Sequence, residues 1–239
     1  MKKRLIGIVP TARLFDTDDY YKDNYIFVNN YAKRVAANGG IPLGLLPGDG
    51  YALADTLEAC DALVFCGGNR IFPYHFQAME HAVKAGKRVL GICLGLQVLH
   101  SYFIVEDEAA RRGYTGSLLS LYETMKKERY MFTEPVEHHW DVHMTRDNVN
   151  QCKHPVHIAP GTRLRALLGA DCVPGASMHR YRINEPAPQL TVAGATADGV
   201  VEAVEQGSNV LGVQFHPEVD GELDALFRFI CGTLPDAPK

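Results

Sequence analysis

The chain has 239 residues, enough for one large domain or two small ones, and its 46% hydrophobic content is ordinary for a globular core. The formal net charge is −4 with interspersed signs and no basic stripe, which points away from nucleic acid and toward a small-molecule substrate. No stretch approaches the roughly 18 apolar residues of a membrane span, and the six cysteines, lacking a C-x-x-C pair or a compact framework, fit a reducing cytoplasm.

The basic start imitates a signal peptide, but its apolar run stops at Pro10 and is followed by Arg13, Asp16, Asp18 and Asp19, so Leu5 to Val9 reads as a first strand. Thr11 to Asp23, acidic and aromatic, reads as a loop. From Tyr25 the residues Ile26, Val28, Tyr31, Ala32, Val35 and Ala36 recur at helical spacing, and Asn38-Gly39-Gly40 supplies the stop. Ile41 to Leu46 is a second strand, Tyr51 to Ala59 a helix, and Ala62 to Cys66 a third strand that ends in Gly67-Gly68. Phe76 to Ala85 is again helical. Strands alternating with helices at these lengths predict βαβ units in one domain: a mainly parallel sheet with helices on both faces.

Next comes K-R-V-L-G-I-C-L-G-L-Q-V-L-H, Lys87 to His100. A buried strand, Val89 to Ile92, is followed without a loop by an apolar run from Leu94 with helical prospects, so Cys93 sits on the corner. Such a corner strains its central residue and needs small neighbours, here Gly91 and Gly95. This is the nucleophile-elbow pattern with cysteine in place of serine. It puts the thiol against a helix N-terminus, whose dipole and free N–H groups favour thiolate. Cys60, Cys66, Cys152, Cys172 and Cys231 read instead as inert small hydrophobes.

Active sites in such sheets lie beyond the carboxyl ends of the strands, where Cys93 and Gly67-Gly68 both stand. The glycine pair reads either as a plain turn or as backbone left bare so that an N–H can point at substrate. With the N–H of Leu94 it would then form an oxyanion hole.

Ser101 to Gln151 is the least legible part. Glu106 to Arg112 and Leu118 to Tyr130 read as helices. His139 and His143 have i, i+4 spacing, but no carboxylate completes a zinc pattern, so no metal and no other cofactor is expected. After it, Val156 to Ile158 is a short strand and Leu164 to Leu168 a helical turn. Gln189 to Thr196, Val200 to Val204 and Val210 to Val213 are short strands split by D-G and G-S-N turns, which predicts antiparallel strands added to the sheet. G-V-Q-F-H-P-E follows, Gly212 to Glu218, and Glu222 to Cys231 closes as a helix.

A cysteine nucleophile needs a base, and the base a group that holds its tautomer. His216 follows an apolar strand, Pro217 stops that strand, and Glu218 stands two residues on. G-I-C-L-G-L-Q paired with G-V-Q-F-H-P-E resembles the class I glutamine amidotransferase superfamily. Within it, G-G-I-P at Gly39, H-P-V-H-I-A-P-G-T-R-L from His154 and D-G-V-V-E-A-V-E from Asp198 resemble the γ-glutamyl peptidases, typified by γ-glutamyl-γ-aminobutyrate hydrolase.

The resemblance implies a flavodoxin-like α/β core and a Cys93, His216, Glu218 triad. The reaction it implies is attack on a γ-glutamyl amide to give a thioester that water resolves. It also implies that Gln97 contacts the glutamyl group and that the segment around Ser177 holds its α-substituents. Two departures stand out: Gly67-Gly68-Asn69-Arg70 where relatives often have G-G-x-D, and Ser177-Met178-His179-Arg180-Tyr181 where they often have S-x-H-H-Q. By the family alignment, Arg70 and Arg180 both stand at the mouth of the Cys93 pocket, an arrangement that favours a leaving group bearing a carboxylate. The expected partner is a small γ-glutamyl compound, with no nucleic acid and no membrane, and self-association is compatible with the chain. The competing readings are a glutaminase subunit that passes ammonia to a separate synthase chain and an idle binding protein.

Overall fold

In the computed structural model, which describes residues 2–14, 19–52, 54–137 and 143–233, the elements follow in chain order. The first half comprises β1 (Leu5–Val9), β2 (Thr11–Arg13), β3 (Asn24–Ile26), α1 (Asn29–Ala37), β4 (Ile41–Gly44), α2 (Ala54–Glu58), β5 (Ala62–Phe65), α3 (Pro73–Lys84), β6 (Arg88–Ile92) and α4 (Leu94–Arg112). The second half comprises α5 (Leu118–Lys127), β7 (Thr133–Pro135), β8 (Lys153–Ile158), α6 (Arg163–Leu168), β9 (Cys172–Ala176), β10 (Tyr181–Ile183), β11 (Thr191–Ala195), β12 (Val201–Gln206), β13 (Val210–Val213) and α7 (Ala225–Cys231).

One nine-stranded sheet runs β4-β1-β5-β6-β13-β12-β11-β8-β9. Its first five strands are mutually parallel, and β12, β11, β8 and β9 continue it antiparallel. Counted along the chain, the parallel part has the flavodoxin-like order 2-1-3-4-5.

All four residues of β5 are buried, as befits a central parallel strand covered on both faces. Leu63 and Phe65 pack with Met79 of α3 and Leu96 and Leu99 of α4. Ala62 and Val64 pack on the other face with Val35 of α1 and Leu226 and Ile230 of α7. The period of two thus sorts one short run into two hydrophobic layers.

The expected elements at β1, β4, β5, β6, β8, β11, β12, β13 and the matching helices are present, with shifted ends. Several details differ. Tyr25 and Ile26 do not begin a helix, because they pair with Thr11 and Ala12 in a small β2–β3 ribbon, and part of the expected 11–23 loop is therefore strand. Glu106 to Arg112 is not a separate helix but the second half of α4, which runs 19 residues until Gly113 ends it at φ 61°. Strands β7, β9 and β10 were not expected, since each is short and interrupted by proline, glycine or charge. Cys172, read as an inert small hydrophobe, is exposed on the edge strand β9. His139 lies outside the described residues, so the His139 and His143 spacing is not represented there. No described helix is long and apolar enough to cross a membrane.

Candidate active site

The elbow is held by backbone contact. A Cβ added at Gly91 would lie 2.5 Å from the carbonyl oxygen of Gly95, and one at Gly95 would lie 2.6 Å from the carbonyl oxygen of Phe65. Only glycine lets α4 come this close to β6 and to the end of β5. Between them Cys93 adopts φ 54° and ψ −104°, a conformation that non-glycine residues rarely take. Its N–H donates to the Val213 carbonyl at 2.8 Å, fastening the corner to β13. The thiol stands at the N-terminus of the 19-residue helix α4.

The register of β6 against β13 pairs Ile92 with Val213, so Cys93 is one residue past the end of its strand and His216 three past the neighbouring one. The His216 N–H donates to the Ala176 carbonyl at 2.7 Å, its side chain is buried, and Pro217, which has no N–H to pair, ends the run. Nδ1 of His216 lies 2.7 Å from Oε1 of Glu218, which fixes Nδ1 as the protonated nitrogen facing a carboxylate. His216 and Glu218 are both buried. Burial alone disfavours a charged imidazole, but the Glu218 carboxylate and then the Cys93 sulfur, through charge and hydrogen bonding, outweigh it and hold His216 well above the usual imidazole range. Cys66, which is also close by, is pushed well up by burial and by Glu218, so it stays a thiol. Burial likewise raises Cys60, and it pushes Cys231 up to about 11.

Two cavities meet at Cys93 and share Gly68, Asn69 and Met178 as walls. One, of about 630 Å³, holds Tyr31, Gly67, His216 and Glu218, with Arg146 among its further lining residues. The other, of about 620 Å³, holds Gln97, His179, Arg180 and Tyr181. Gln97 Nε2 donates to the Tyr181 carbonyl at 3.1 Å and, more weakly, to Gln214 Oε1 at 3.4 Å. Its carbonyl oxygen is then the end of the amide left for a ligand, an acceptor suited to an ammonium group.

The expected site residues are thus brought together unequally. Cys93, His216, Glu218, Gly67 and Gly68 border one cavity, and Gln97 and His179 the other. Ser177 lines neither; it is buried, and its N–H donates to the Cys152 carbonyl at 2.9 Å. His179 is 2% exposed and bonds to Glu202 Oε1 at 3.2 Å and to the Tyr181 carbonyl at 3.1 Å, so it shapes the loop beside Gln97. Gly67, expected as an oxyanion donor, has its N–H committed to the Tyr31 hydroxyl at 2.9 Å. The N–H groups of Gly68 and Leu94 have no partner among the described residues. Arg70 borders neither cavity, its guanidinium lying 5.0 Å over the Phe72 ring, whereas Arg180 stands on the Gln97 side.

Three residues escaped the sequence reading. Tyr31 looked like one more apolar position on α1, yet its hydroxyl reaches the Gly67 loop. Glu202 and Gln214 are fully buried polar residues on or beside central strands. The available signal was a lone polar residue inside each of the apolar runs V-V-E-A-V and G-V-Q-F, a local violation of patterning of the kind that marks functional sites.

A Rickettsia prowazekii protein described as glutamine amidotransferase-like is 25% identical over 91% of this chain and 92% of its own length. CTP synthase of Halobacterium salinarum is 27% identical over 82% of the chain, which spans only 37% of that enzyme. Among solved structures, the glutaminase domain of Trypanosoma brucei CTP synthase, with acivicin bound, superposes with a TM-score of 0.64 at 19% identity, covering 95% of this chain and 91% of that domain. A glutamine amidotransferase from Thermotoga maritima gives a TM-score of 0.60 at 16% identity over 93% and 80% of the two chains. These likenesses show a shared fold. The peptidase C26 pattern matches residues 4–85 and 74–218, and the chain is accordingly a glutamine amidotransferase-like domain belonging to the peptidase C26 family.

Proposed function

We propose that the chain is a stand-alone hydrolase of small γ-glutamyl amides, with Cys93 as nucleophile, His216 as base and acid, and Glu218 as the group that orients His216. The observation that carries this reading is the position of Cys93 on a strained corner between two cavities, only one of which is lined by His216.

The imidazole must protonate the departing amine, so the leaving group belongs in the His216 cavity and the glutamyl group in the Gln97 cavity. The thiolate attacks the γ-carbonyl carbon, and the carbonyl electron pair moves onto oxygen, where the Gly68 and Leu94 N–H groups can receive it. Collapse of that intermediate breaks the C–N bond as His216 Nε2 delivers its proton to nitrogen. His216, now neutral, takes a proton from water, whose oxygen attacks the thioester and releases glutamate and the thiolate. Glu218 keeps one ring tautomer throughout. On the glutamyl side, the Gln97 carbonyl oxygen suits the α-ammonium and Arg180 the α-carboxylate.

A second reading, a glutaminase that supplies ammonia to a synthase chain, is favoured by the likeness to CTP synthases. Ammonia is about the size of water, whose share of liquid volume is ~30 Å³. The His216 cavity of about 630 Å³, as bounded by the described residues, has room for a far larger amine, which supports the first reading. The discriminating experiment supplies the purified chain alone with γ-glutamyl amino acids, γ-glutamyl amines and glutamine. Turnover of the larger amides without a partner is expected. Hydrolysis of glutamine alone, and only with an added synthase, would favour the second reading.

A further inference from the structure

The glycine pair after β5 raises a physical problem that the triad does not solve. Gly67 and Gly68 are consecutive glycines, the residues with the greatest backbone freedom, and neither has a side chain to pack. An oxyanion donor works only when it is held in place before charge develops. Something must therefore fix this loop.

The structure assigns that task to Tyr31: we propose that its hydroxyl, by accepting the Gly67 N–H at 2.9 Å, anchors the glycine pair so that the Gly68 N–H is presented to the oxyanion formed on Cys93. Tyr31 is 2% exposed on α1, in the apolar layer with Val35 and Leu226, where phenylalanine would fill the same volume. What the oxygen adds is this contact. An added Cβ at Gly67 would lie 3.3 Å from Tyr31 Oη, 2.8 Å from His216 Cε1 and 3.4 Å from Cys93 Cβ, so the anchored residue sits between the base and the nucleophile. Burial, and then the nearby Glu218 carboxylate, push the phenol well above its ordinary range, so the hydroxyl keeps its proton at any working pH. It can therefore accept from Gly67 and still donate into the His216 cavity, which it lines. Tyr31 is thus a positioning residue that acts through the Gly67–Gly68 backbone. This inference rests on the hydrolase reading above.

The test is Tyr31→Phe, assayed as kcat per Cys93 titrated with a diazoketone analogue of glutamine, so that any unfolded fraction drops out. Misplacing one donor is expected to lower kcat by roughly ten- to a hundredfold while KM stays within about threefold, because only the transition state needs the donor. The affinity of a γ-glutamyl aldehyde, which forms a hemithioacetal oxyanion on Cys93, should fall by the same factor as kcat. A kcat within twofold of the parent, or an aldehyde affinity that does not follow kcat, would overturn the role of Tyr31. Absence of labelling at Cys93 in the parent chain would instead defeat the hydrolase reading, and this one with it. Amide exchange in the unmodified protein gives a second check that needs no variant. Gly67 N–H should exchange slowly and Gly68 N–H quickly, with Gly68 becoming protected once the aldehyde binds. Equal exchange at the two glycines, or no protection of Gly68 in the complex, would contradict the anchor.

Discussion

Nδ1 of His216 and Oε1 of Glu218 stand 2.7 Å apart although only Pro217 separates the two residues, and the contact leaves Nε2 as the ring nitrogen available to Cys93. Under the proposed mechanism, losing the base should cost more than losing its orienting partner, since a misoriented imidazole still accepts protons part of the time. His216→Ala is expected to be nearly inactive, and Glu218→Gln impaired by roughly ten- to a thousandfold. Because the Glu218 carboxylate is what overcomes burial at His216, the same variant should lower the imidazole pKa. Histidine NMR across a pH series checks this, and an unmoved titration with full activity would mean that another group orients the ring.

Gly67 separates stability from catalysis. A methyl group there would press on His216 Cε1 at 2.8 Å, the ring of a side chain that can shift, whereas one at Gly91 would press on the Gly95 carbonyl at 2.5 Å, which is backbone. Gly67→Ala is therefore expected to lose about a hundredfold in kcat with a small change in unfolding midpoint. Gly91→Ala should destabilise by about 2–3 kcal/mol through overpacking of the elbow. Urea unfolding beside steady-state kinetics distinguishes them, and the reverse ranking would refute this view of the corner.

The parallel core was legible because its signals are local and repeated: apolar runs of strand length alternating with helical spacing and ended by glycine. The elbow and the G-V-Q-F-H-P-E strand end were legible as structure for the same reason, each being spelled within a few residues. Partnerships across the chain were not. The Tyr31 contact with Gly67 spans 36 residues, and that of His179 with Glu202 joins the loop between β9 and β10 to β12, across the sheet. Arg70 was placed at the pocket mouth because alignment gives a position in the chain and not the direction of the side chain, which lies over the Phe72 ring.

Two buried histidines should make the fold acid-sensitive. His75 accepts the Phe72 N–H at Nδ1 and donates from Nε2 to the Pro10 carbonyl, capping α3 as a neutral ring. Burial lowers it to about 3, and burial, partly offset by Asn184, lowers His100 to about 4. In unfolded chain both titrate near ~6.5, so between that value and their folded values the unfolded state binds more protons, and stability falls as pH drops. Each ring contributes up to about 1.4 kcal/mol per pH unit in that window. His216, raised in the fold, acts oppositely: its contribution is complete below ~6.5 and fades as pH rises through its folded value. Urea unfolding at pH 7, 6 and 5 should show decreasing stability, with a shallower slope in His75→Gln. A flat or rising profile on acidification would contradict the neutral buried rings.

Arg180 and Arg70 should now differ in effect. Arg180 borders the Gln97 cavity and Arg70 does not. A charge pair about 5 Å apart is worth roughly 3 kcal/mol at an effective dielectric near 20, and screening at an open mouth cuts this to about 1 kcal/mol. Arg180→Ala is expected to raise KM several-fold for every γ-glutamyl substrate, whatever its leaving group, and more weakly at high salt. Arg70→Ala should stay within twofold of the parent. Equal effects of the two substitutions would reject this assignment of sides.

The covalent role of Cys93 is tested most directly by acid-quenching the protein during turnover of a γ-glutamyl amide and measuring the mass of its peptides. A thioester on Cys93, seen as the added mass of one glutamyl group and discharged by hydroxylamine, is the expected result. Cys93→Ser should show neither the adduct nor turnover while keeping its fold, because an alcohol at this position ionises far less than a thiol. Turnover by the parent with no adduct on the Cys93 peptide, together with activity within about tenfold in Cys93→Ser, would contradict it.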